Sequence, residues 1–130
     1  MQENHLFEYA VIRVVPHVER EEFLNVGIIL FCAKQKFLKT KFEVSEERIR
    51  VLCEKMDFTE LTDHITSFDR ICAGGSDSGP IGKLPMAERF RWLTATRSTI
   101  LQTSKVHPGL CLDAGDMLEK LFGQLVGVAK

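Results

Sequence analysis

Apolar and polar positions along the chain follow two rhythms, one of period two and one of period near 3.6, and their boundaries fall at proline, glycine and capping residues. Phe7 to Val15 (FEYAVIRVV) is rich in β-branched and aromatic residues, and Pro16, which cannot donate to a sheet ladder, closes it. The pattern predicts a central strand. Pro16 to Asn25 carries charge and only a few apolar residues, so it reads as a connecting loop or one helical turn. Val26 to Cys32 (VGIILFC) is a continuous apolar run too short for a helix, which predicts a second strand covered on both faces. After a turn at residues 33–36, Phe37 to Glu43 sets Leu38 and Phe42 against Lys39 and Lys41, the alternation of an edge strand guarded by lysines.

Helical spacing begins at Ser45, an N-cap followed by Glu46 and Glu47 where the helix dipole favours anions, and predicts a helix over 46–56. Asp57 to Glu60 has the spacing of a capping box, and Leu61, Ile65, Phe68 and Cys72 form the stripe of a second helix stopped by Gly74 and Gly75. Residues 74–85 (GGSDSGPIGKLP) read as a flexible loop, and Met86 to Leu93 as a short helix. Thr94 to Val106 predicts a fourth strand, broken by His107-Pro108-Gly109. Asp113 then caps a last helix striped by Met117, Leu118, Leu121, Phe122 and Leu125. The expected architecture is α+β: a small antiparallel sheet of about four strands with helices packed on it, in a single domain over residues 1–130.

Composition adds bounds rather than a function. A length of 130 residues with 45% hydrophobic and 27% charged positions belongs to one globular domain with a self-sufficient core, not to a disordered chain. The longest apolar run falls far short of a bilayer span, and no basic-then-apolar leader follows Met1, so a cytoplasmic domain is expected. Cys32, Cys53, Cys72 and Cys111 lack metal-ligand spacing and read as small buried hydrophobes in a reducing compartment. His5, His17 and His64 show no ligand spacing either, and no metal or other cofactor is expected.

A net charge of −1 gives no general attraction to nucleic acid, yet the charge is uneven along the chain. Residues 83–107 hold five bases (Lys83, Arg89, Arg91, Arg97, Lys105) against one acid, Glu88. Arg89 and Arg97 flank Trp92, and guanidinium groups beside an aromatic face commonly hold a phosphate, a carboxylate or an unstacked base. The GGSDSGPIG segment invites a phosphate-loop reading but lacks the G-K-[S/T] ending, which favours a surface loop. His107, in a polar turn near Asp113, has the chemistry of a general acid or base, although Asp113 is already engaged as a cap. Arg13 interrupts an apolar strand and calls for an acid, with Glu8, Glu19, Glu21 and Glu22 nearest in sequence.

Two ordered blocks carry a family likeness. Tyr9-Ala-Val-Ile-Arg-Val-Val-Pro16 with Arg20-Glu-Glu-Phe-Leu-Asn-Val-Gly-Ile-Ile-Leu-Phe-Cys32, then Glu88-Arg-Phe-Arg-Trp-Leu93, Arg97-Ser-Thr-Ile-Leu-Gln102 and His107-Pro-Gly109, resemble the bacterial domain-of-unknown-function family DUF3037 over nearly the whole chain. The resemblance implies a small bacterial single-domain protein without an assigned activity, and a protein partner, with a HipA-like kinase encoded nearby as the candidate. The family's polar pattern falls on Arg20, Glu21, Asn25, Gly27, Arg89, Trp92, Arg97, Ser98, Gln102, His107 and Asp113.

The leading expectation is an accessory or binding module acting through that partner. Its rival is a small enzyme or nucleic-acid binder that uses an Arg/His cleft on phosphate-bearing substrates, with Arg97, His107 and Asp113 beside Arg89 as the catalytic set or Arg89, Arg91, Trp92, Arg97 and Lys105 as the nucleic-acid set. The candidate cleft comprises Arg20, Glu21, Asn25, Arg89, Trp92, Arg97, Ser98, Gln102 and His107, and the expectation is that they converge at one end of the sheet on an anionic or amide-bearing group.

Overall fold

The computed structural model describes residues 3–127. Strands β1 (His5–Val14), β2 (Leu24–Cys32) and β3 (Phe37–Phe42) form an antiparallel meander in which β2 is interior. Helices α1 (Glu46–Leu52) and α2 (Phe58–Ala73) follow, then a one-turn helix α3 (Gly79–Gly82) and α4 (Met86–Leu93). The chain returns to the sheet as β4 (Leu101–Thr103) and β5 (His107–Cys111), both antiparallel to β1, and ends in α5 (Ala114–Leu125). The sheet thus has five strands, one more than the sequence pattern implied.

Both faces of the sheet are covered, which is why β2 is apolar throughout. Ile29 and Phe31 join Ala10, Ile12, Val14 and Leu38 in a core closed by Ile49, Leu61, Phe68, Phe90 and Leu93 from α1, α2 and α4. Ile28, Leu30 and Cys32 point the other way, into a core closed by Leu118 and Leu121 of α5. Residues of opposite parity on one strand take opposite faces. Val26 is an extra residue between the pairs Ile12↔Gly27 and Arg13↔Asn25, a bulge that turns it into the three-helix core instead. A Cβ on Gly27 would lie 2.7 Å from the Lys41 carbonyl oxygen and 2.8 Å from the Phe42 ring, so only glycine lets the edge strand lie this close.

The last sheet edge departs from the expected continuous strand over 94–106. Ser104 takes the place of a ladder residue: its N–H donates to Val11 O at 2.8 Å and its hydroxyl accepts the Val11 N–H at 2.8 Å. Pairing with β1 then resumes where the sequence suggested a break, with His107 opposite Tyr9 and Gly109 opposite Phe7. Pro108 is tolerated because β5 is an edge, and Gly109 leaves room for the Phe7 ring, whose nearest atom would be 2.6 Å from a Cβ there. On the opposite edge Lys39 is exposed as expected, and the partly exposed Lys41 pairs with Glu119 of α5 and lies over the Phe122 ring at 4.8 Å.

The helix starts follow their caps. Ser45, Asp57 and Asp113 each accept the backbone N–H three residues on, from Arg48, Glu60 and Asp116. The first helix stops at Leu52, short of the expected 56, because Cys53 is extended (φ −150, ψ 101). Residues 76–78 form a 3-10 turn that leads into α3, and Gly75 N–H closes this segment on Gly82 O at 3.3 Å. Asp113→Ala is expected to destabilise the fold by about 1 kcal/mol through loss of the α5 cap; urea denaturation checks this, and an unshifted midpoint would free Asp113 for a role at a site.

No helix among the described residues is long and apolar enough to cross a membrane. All four cysteines are free, with Cys32, Cys72 and Cys111 buried. Burial, reinforced by Asp69, pushes the Cys72 thiol up to about 12. Folding therefore favours its neutral form, a contribution fully present below the ordinary thiol range and lost as pH climbs toward that value. At pH 8 the folded protein is expected to shield Cys72 from iodoacetamide while urea exposes it; mass spectrometry of the alkylated chain reads the difference.

Candidate functional site

Two cavities flank the β4 edge, and strand geometry decides which residues reach each. Leu101 of β4 enters the three-helix core, so Gln102 beside it faces the α5 side, where it sits opposite Arg13. Ile12 and Val14 enter the same core as Leu101, which likewise sends Arg13 to the α5 side.

On the helical side a cavity of about 200 Å³ opens between α2, α4 and the segment after α4. Phe68, Ile71, Leu93 and Leu101 supply its apolar lining, while His64, Ser67, Thr99, Trp92 and Arg97 bring polar groups to it. Trp92 is 39% exposed at the end of α4. The Arg97 guanidinium stacks on it with Cζ 4.0 Å from the ring centroid, and Arg97 Nη2 donates to the Trp92 carbonyl. Burial pulls Arg97 below the ordinary arginine value, but a guanidinium stays charged at any physiological pH. Arg97 has no carboxylate partner among the described residues. The result is a fixed cation on an aromatic plate at the mouth of an apolar socket, suited to a ligand that places a carboxylate or phosphate beside an apolar group.

On the α5 side Arg13, Val15, Val18, Glu21, Phe23 and Gln102 line a cavity of about 280 Å³. Arg13 does not find the acid that its place in an apolar strand called for: it lies over the Phe23 ring at 4.0 Å, and among the described residues it has no ion pair. Its Nε is buried without a hydrogen-bond partner. The aromatic plate replaces the expected carboxylate.

The nine candidate residues therefore do not share one cleft. Trp92 and Arg97 belong to the helical-side cavity, with exposed Ser98 in the adjoining turn. Glu21 and Gln102 belong to the α5-side cavity. Asn25 donates to Leu125 O at 3.0 Å and ties the start of β2 to the end of α5. Arg20 pairs with Glu22 in solvent, which raises its pKa. Arg89 turns onto its own connection, donating to Leu84 O at 2.7 Å and packing against Gly74. His107 lies against Tyr9 with ring centroids 5.4 Å apart. Arg97 lines the helical-side cavity while His107 lies against Tyr9, which packs on the α5-side core, so the catalytic set of Arg97, His107 and Asp113 is divided between the two faces of the sheet.

Residues that sequence reasoning passed over as site candidates are His64, Ser67 and Thr99 on the helical side and Arg13 and Phe23 on the other. Only Arg13 carried a signal, as a charge inside an apolar run. No group of three or more His, Cys, Asp or Glu among the described residues is placed to hold a metal ion.

No curated protein and no solved structure matches the chain. The two blocks that frame these cavities, β1 from Tyr9 onward with β2, and α4 through β5, both lie within the part of the sequence that matches a family model described as "Protein of unknown function (DUF3037)" over residues 9–126, and the chain belongs to that family.

Proposed function

We propose that this protein is a binding module that docks on a protein partner through Trp92 and Arg97, gripping an acidic residue that neighbours a large apolar one. The observation that carries this reading is the Arg97 guanidinium stacked on half-exposed Trp92 at the rim of an apolar cavity of about 200 Å³. Tryptophan and arginine are the residues that most often dominate interface energetics, because they combine a large apolar plate with a directional charge. A cavity of this size takes one side chain rather than a whole cofactor. The acidic neighbour would satisfy the arginine, and the apolar side chain would fill the space between Phe68, Ile71, Leu93 and Leu101. The free thiols suit a reducing cytoplasm. A HipA-like kinase, the partner suggested by the family likeness, is the first full-length protein to try.

Selection of a random peptide library on the immobilised protein tests the reading. Enrichment of an acidic residue beside Leu, Ile, Met or Phe, lost when Arg97→Ala is the bait, is the expected result. Absence of a consensus, or a consensus that survives Arg97→Ala, would contradict it.

A further inference from the structure

The α5-side cavity shares no lining residue with the Trp92 socket, and its chemistry is different. It holds a cation and an anion, Arg13 and Glu21, yet they form no ion pair. Each is left without a partner of opposite charge among the described residues. Glu21 is fixed in the left-handed region (φ 57, ψ 20) at the end of a 3-10 turn, its N–H bonded to Val18 O at 3.2 Å. Few non-glycine residues adopt this conformation, and such strain gathers at ligand sites. Arg13 is anchored from the other side by β1 and by the Phe23 ring.

The third polar group is also polarised. Gln102 donates one amide N–H to Thr99 O at 2.9 Å, and its side-chain oxygen, which has no donor among the described residues, is free to accept a hydrogen bond. The cavity therefore offers donors at Arg13, acceptors at Glu21 and Gln102, and apolar walls at Val15, Val18 and Phe23. We propose that this cavity binds a free α-amino acid with an apolar side chain. The carboxylate lies on Arg13, the ammonium between Glu21 and the Gln102 oxygen, and the side chain against Val15, Val18 and Phe23. A simple anion would satisfy Arg13 but face Glu21 unfavourably. A ligand carrying both charges bridges the two groups, which do not pair with each other. The volume of about 280 Å³ sits just below the range of cofactor pockets and suits a metabolite of this size.

Isothermal titration with L-valine, L-leucine and L-phenylalanine, followed by N-acetyl-L-leucine and L-leucinamide, tests this. At least one of the three amino acids is expected to bind saturably at one site per chain. Removing the ammonium or the carboxylate should weaken leucine binding at least tenfold. Glu21→Gln, which keeps the size of this exposed side chain and removes its charge, should weaken the parent amino acid at least tenfold and leave N-acetyl-L-leucine unchanged. Arg13→Gln should abolish binding, and should its thermal midpoint collapse, the Glu21 arm still decides. Trp92→Ala should leave amino-acid binding intact, which separates this site from the peptide-binding socket. No heat from any of the three amino acids at millimolar concentration, or equal affinity for leucine and its two derivatives, would overturn the assignment.

Discussion

Phe90→Ala is expected to lower the stability of the fold by about 3–5 kcal/mol, the cost of deleting a fully buried aromatic side chain. Phe90 is 2% exposed and stacks on Phe31 of β2, with ring centroids 5.4 Å apart. Helix α4 spans only Met86–Leu93, too short to hold itself together in water, so Phe90 and Leu93 fix it to the sheet. Because Trp92 rides on the same helix, the variant should also disturb the socket. Urea denaturation followed by circular dichroism measures the loss. A change below about 1 kcal/mol would mean that α4 is held by other contacts.

The second large effect distinguishes a sheet covered on both faces from one covered on a single face. Ile28 and Ile29 are both fully buried, the first under α5 and the second under the helices of the other face. Ile28→Ala and Ile29→Ala are each expected to cost about 2–5 kcal/mol. A sheet with one wet face would tolerate one of the two within about 0.5 kcal/mol, as surface positions do. Denaturation midpoints of the two variants, compared at equal slopes, decide it.

Local signals in the sequence carried the fold well where one residue or one short run settles the physics. The apolar run Val26 to Cys32 requires cover on both sides whatever covers it, and Ser45, Asp57 and Asp113 cap their helices through hydrogen bonds spanning three residues. β5 was hidden because His107-Pro108-Gly109 has the composition of a turn. Its pairing depends on the Phe7 ring resting over Gly109 and on Ser104 bonding with Val11, contacts between residues roughly a hundred positions apart. The same kind of distant information divides the polar residues. Leu101 and Gln102 are neighbours in sequence but line cavities on opposite faces, so a list of conspicuous polar residues reads as one site where the sheet makes two. Arg13 was legible as an anomaly, while its partner was not: the sequence offered acids, and the fold supplied Phe23.

The Trp92 socket can be watched directly, since Trp92 is the single tryptophan of the chain. Titrating the protein with a synthetic peptide that carries glutamate beside leucine, while recording tryptophan emission, tests whether Trp92 and Arg97 form a binding surface. A saturable blue shift is expected as the half-exposed indole is covered, abolished by Arg97→Ala at an unchanged thermal midpoint. Binding detected by calorimetry with no change in Trp92 emission, or an Arg97→Ala variant that unfolds while retaining the peptide in its folded fraction, would contradict it.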